Sequence, residues 1–105
     1  MRLSQQEVNL ILNVLLEKPL LEVRLSGSRV DDFKKGGDID LLLICQNEEI
    51  RQQMREQKPE ILSELKEKIG DQKIDLTIVD PSLISQDPVI EAMMNHSIVL
   101  KKNTL

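Results

Sequence analysis

Apolar positions recur along this chain with two different periods, and the switches between them divide it into helices and strands. Ser4-Gln5-Gln6-Glu7 matches a capping box, in which a serine and a glutamate three residues on satisfy each other's free backbone amides. Val8, Ile11, Leu12, Leu15 and Leu16 follow at helical spacing, and Pro19 closes the segment. Leu20 to Ser26 then reads as a central strand feeding a turn at Gly27. A second apolar run follows Asp38, in which Ile39, Leu41 and Leu43 share one face and are expected to meet the core. From Glu48 to Ile69 the helical period returns through Ile50, Met54, Ile61, Leu62, Leu65 and Ile69. Pro59 interrupts this stretch, so it reads either as two helices meeting near Lys58 or as one kinked helix. Gly70 ends it. Lys73 to Val79 alternates as a strand, with Ile74, Leu76 and Ile78 on one side and Lys73, Asp75 and Thr77 on the other. Asp80 before Pro81 reads as a turn residue; Asp87 and Pro88 start a short helix through Asn95, and Ile98 to Leu100 form a last strand.

The chemistry concentrates between Leu25 and Ile44, in LSGSRVDDFKKGGDIDLLLI. Asp38 and Asp40 project to the same side of their strand, with backbones about 6.6 Å apart. Carboxylates converging to about 4 Å repel by about 4 kcal/mol at an effective dielectric of about 20, so the arrangement asks for a cation. Hard oxygen ligands with room left for phosphate suit Mg²⁺. Gly27 permits close backbone approach, and Ser28 with nearby amides can hold phosphate oxygens. Arg29 reads either as a phosphate contact or as a structural ion-pair partner; Lys34 and Lys35 read most simply as solvated loop charges. An acid-apolar-acid run alone is ordinarily a solvated face, and a Gly-Ser pair an ordinary turn. Their combination in this order on neighbouring strands is what is uncommon.

Composition narrows the function. At 105 residues the expectation is one domain, residues 1–105, with nothing left over for a lobe that binds an acceptor. A net charge of -4 and a single aromatic, Phe33, argue against a groove that tracks nucleic acid. A nucleobase would be held by aliphatic or polar contacts, with weak selectivity. Cys45 is the single cysteine and reads as a small buried residue; with His96 the single histidine, a zinc cluster or a Ser-His-Asp triad has little to stand on. No apolar run near the length of a membrane span and no signal peptide is apparent, which points to the cytoplasm.

Gly27-Ser28-Arg29, a short loop and Asp38-Ile39-Asp40-Leu41 resemble the signature of the DNA polymerase beta-like nucleotidyltransferase superfamily. Within it, the size resembles the minimal nucleotidyltransferases, antitoxin-like partners of HEPN-domain proteins. The resemblance covers almost the whole chain, including a third acid in Lys73-Ile74-Asp75-Leu76. It departs in the loop: nine residues separate Ser28 from Asp38, one fewer than the commonest form, and Asp31 and Asp32 fall there.

The resemblance implies an α/β (α+β) fold, a small mixed sheet with helices packed on one face. It implies two Mg²⁺ ions, with Asp38 and Asp40 as metal ligands and Asp75 as ligand of the second metal and base. Gly27 and Ser28, with Arg29, would hold the nucleotide. The activity implied is transfer of a nucleoside monophosphate, AMP from ATP, to a hydroxyl of a partner protein of small helical HEPN type, within a toxin-antitoxin pair; assembly with that partner or with itself is compatible with this. The alternative is a non-catalytic module that neutralises a partner by covering it. The Met-containing segment Val89, Ile90, Met93 and Met94 reads either as a docking surface for that partner or as a core helix.

Overall fold

A computed structural model describes residues 4–15, 17–26, 39–70 and 72–102. Helix α1 (Gln5–Leu15) starts as the capping box requires: Glu7 N donates to Ser4 Oγ at 3.1 Å and Ser4 N to Glu7 Oε1 at 3.2 Å. Strands β1 (Leu20–Ser26) and β2 (Ile39–Cys45) pair antiparallel. The Pro59 ambiguity resolves into two helices, α2 (Glu48–Glu56) and α3 (Lys58–Ile69), with Gln57 between them and Pro59 in the first turn of α3, where its missing N–H costs nothing. Gly70 ends α3 at φ 88°, a backbone conformation that other residues adopt with strain.

Strand β3 (Ile74–Val79) lies parallel to β2, so the chain must cross back through α2 and α3 to reach it. Helix α4 (Pro81–Gln86), helix α5 (Pro88–Asn95) and strand β4 (Ile98–Lys102) follow. The sheet order is β3-β2-β1-β4, with β4 antiparallel to β1. The α/β architecture with a mixed sheet is thus as the sequence indicates. Among the described residues no helix is long and apolar enough to cross a membrane.

Helices are not confined to one face, and here the expectation needs correcting. On the first face Val8, Ile11, Met54, Ile61 and Leu65 pack over Val23, Leu25, Ile39, Leu41, Leu43, Ile74, Leu76 and Ile78. Alternation sends Leu42, Ile44 and Val79 to the opposite face, where leaving them wet would forfeit about 1.5–3 kcal/mol each. The α4–α5 pair covers them: Ile90 packs there as a buried residue, with Leu83, Ile84, Met93 and Met94 around it. The expected docking segment is therefore mostly core, and Val89 alone of its four residues is exposed, at 68%.

Asp80 does more than make a turn. It is 2% exposed, its Oδ1 accepts from Leu83 N at 2.9 Å to cap α4, and its Oδ2 lies 3.2 Å from Nε of Arg51 on α2. That ion pair is close but off the line of a hydrogen bond, so neither atom has a hydrogen-bond partner.

Cys45 is buried in the first core, as expected. Burial pushes its thiol up to about 11, with the nearby Asp80 carboxylate adding to the rise against the opposing effect of Arg51 and Arg55. Because the folded protein holds this proton more tightly than the unfolded chain does, stability is full below about pH 9 and falls until about pH 11. The loss amounts to roughly 3 kcal/mol. Urea unfolding of the wild type and of Cys45→Ala between pH 8 and 11.5 measures this. The two curves are expected to converge as pH rises, and a constant separation would exclude the thiol as the cause.

Candidate active site

The site grows out of strand register. Asp40 is the second residue of β2 and Asp75 the second of β3, and they are direct partners in the parallel ladder. Ser26, the last residue of β1, pairs with Asp40 on the other side. Directly paired residues on adjacent strands point to the same face, with backbones about 4.8 Å apart. Asp75, Asp40 and Ser26 thus form a polar row across three strands. The next rows along that face carry Leu42 and then Ile44 with Val79, the apolar floor beneath α4 and α5.

The helical cover ends at the polar row. Between the row and α5 lies a cleft of about 470 Å³, lined among the described residues by Ser26, Asp40, Val89, Ala92, Met93 and His96. Asp40 is half-buried there; Asp75, on the edge strand, is exposed. The cleft wall is fixed by α5, whose N-cap Asp87 accepts from Val89 N at 2.9 Å. At its other end Ser97 Oγ donates to Met94 O at 2.7 Å and accepts from Arg24 Nη1 at 3.1 Å, tying α5 to β1. Arg24 is in turn held by Glu22, with Nε 3.4 Å from Oε2.

Of the residues expected at the site, Asp40 and Asp75 are brought together. Asp38, Gly27, Ser28 and Arg29 lie outside the described residues, as do Asp31, Asp32, Lys34 and Lys35. Two side chains at the cleft were not anticipated as part of it. Ser26 is buried by register, a placement that required knowing its cross-strand partner. His96 is exposed at the C-cap of α5, and only the return of the chain from α5 to β4 carries it to the cleft.

Two carboxylates directly opposite each other on neighbouring strands destabilise the pairing unless a cation lies between them. Asp40, which lines the open cleft, and Asp75, its partner in the ladder, are hard oxygen donors, and this donor chemistry fits Mg²⁺ better than a softer transition metal. Nitrogen and thiolate donors are not gathered here: Cys45 is buried in the core, and His96 is the one imidazole at the cleft. No family model matches the chain, and no curated protein matches it.

Proposed function

We propose that the chain is a Mg²⁺-dependent nucleotidyltransferase, moving AMP from ATP to a hydroxyl of a partner protein, a small helical protein of HEPN type. The observation that carries this reading is the in-register pairing of Asp40 with Asp75 beside a cleft of nucleotide size. Asp40 and Asp75, with Asp38 two residues before Asp40 in sequence, would hold the metal. Bound there, Mg²⁺ supplies charge neutralisation of the phosphates and lowers the proton affinity of the attacking hydroxyl.

In the reaction the acceptor oxygen forms a bond to the α-phosphorus while the bond to the β-phosphate bridging oxygen breaks, and pyrophosphate leaves with that electron pair. Asp75 faces solvent, from which a protein acceptor must approach, and takes the hydroxyl proton. Gly27, Ser28 and Arg29 are assigned to the phosphate tail. Val89, Ala92 and Met93 offer the base aliphatic contact without stacking.

A melting experiment tests the site before any turnover is sought. ATP with Mg²⁺ at about 100 times its dissociation constant is expected to stabilise the protein by about 2.7 kcal/mol, a shift of several degrees. Asp40→Asn should abolish the rise, and ATP with EDTA should give little of it. A rise of equal size in Asp40→Asn would remove the metal site from the reading. Incubating the chain with α-labelled ATP, Mg²⁺ and the protein encoded beside it should label that protein. Inhibition of the neighbour without label transfer would make the chain a covering module instead.

A further inference from the structure

Strand β3 is at one edge of the sheet, and its phase is set by Ile39 N donating to Lys73 O at 2.9 Å. With Ile39 paired to Ile74, the parallel ladder uses the backbone groups of residues 73, 75, 77 and 79 toward β2. Those of Ile74, Leu76 and Ile78 therefore point outward. Arg55 confirms the phase, because its Nη2 donates to Ile78 O at 3.2 Å from outside the sheet. Alongside this edge runs a groove of about 420 Å³, lined among the described residues by Arg55, Lys58, Leu76, Thr77 and Ile78.

The groove is charged against the trend of the molecule. The chain carries a net -4, yet the described lining holds two cations and no carboxylate. Lys58 has no ion-pair partner among the described residues. It is also the first residue of α3. An edge with outward N–H and C=O groups accepts an extended chain, and these charges select its composition.

We infer that the β3 edge is a docking site for an extended, carboxylate-bearing segment of a partner protein, which adds a strand beyond β3 and sets its acids against Arg55 and Lys58. A second copy of this chain is the poorer occupant, since two-fold pairing of β3 with itself would bring the Arg55 and Lys58 of both copies together. The inference does not depend on the proposed transfer activity.

The test uses the full chain and an end-blocked octapeptide alternating Glu with Val and Thr, against the same peptide with Lys for Glu. Amide exchange and backbone chemical shifts are read residue by residue. The Glu peptide should slow exchange at Leu76 and Ile78, whose amides face outward, and leave Thr77 unchanged, since its amide is already bonded to β2. Binding should weaken with salt, and Lys58→Glu should reduce affinity by about tenfold or more. Lys58→Glu leaves the Arg55 bond to Ile78 O in place, so a folding defect is separable by its amide spectrum. The inference is overturned if millimolar Glu peptide leaves Leu76 and Ile78 exchanging as in the free protein. It is equally overturned if the Lys peptide protects them as well, or if protection rises with protein concentration alone, which would put a second copy on the edge.

Discussion

Arg51→Met lowers the unfolding free energy by about 3 kcal/mol, the largest loss expected from any single substitution away from the apolar core. The guanidinium lies 3.2 Å from Asp80 Oδ2, in a place where Arg51 is 14% and Asp80 2% exposed. Removing one member of such a pair strands the other in a poorly solvated site, which costs more than the pair itself contributes. Asp80 would keep only its Oδ1 bond from Leu83 N, and Oδ2 would face no cation. The same logic predicts partial rescue. In Arg51→Met/Asp80→Leu the charge is gone from both sides, and only the α4 cap, worth about 1 kcal/mol, is missing. Guanidinium unfolding midpoints of the wild type, the single and the double variant measure this. A single variant within 1 kcal/mol of wild type by the same measure would mean that water reaches the pair.

The contrast between Asp80 and the capping box explains what was legible in the sequence. Ser4 and Glu7 need each other and nothing else, so four residues suffice to read the start of α1. The limits of β1 and the break at Pro59 are likewise local, set by proline and by strand alternation. Asp80 has a local role as a cap, but its burial depends on Arg51, 29 positions earlier on another element. Helix α4 is not legible in the sequence because PSLISQ is only six residues long and carries no apolar period. The second apolar face is written in the sequence: β2 runs Leu41 to Cys45 without a polar residue, as a strand covered on both sides must. At the candidate site, the shared face of Asp40 and Asp75 follows from alternation once β2 and β3 are neighbours. Register makes them direct partners, and alternation alone leaves the register free to shift by two residues.

Asp75→Asn should cut nucleotide transfer by about 100-fold or more while changing ATP affinity only a few-fold. The two acids occupy the same row but different surroundings. Asp40 is on an interior strand, half-buried at the cleft with Ser26 on one side, whereas Asp75 is on the edge strand and open to solvent. A nucleotide in the cleft meets Asp40 first, so Asp40→Asn should weaken binding and turnover together. A hydroxyl arriving from outside meets Asp75, so its loss should appear in kcat, with KM for ATP nearly kept. Thr77→Val, two residues along the same strand and the same face, serves as the control and should leave kcat within about twofold. The measurement is label transfer from α-labelled ATP to the protein acceptor over a range of ATP concentrations. If Asp75→Asn raises KM as much as it lowers kcat/KM, Asp75 holds the nucleotide rather than activating the acceptor. The base would then have to be sought among the other carboxylates, with Asp80 disfavoured by its burial against Arg51.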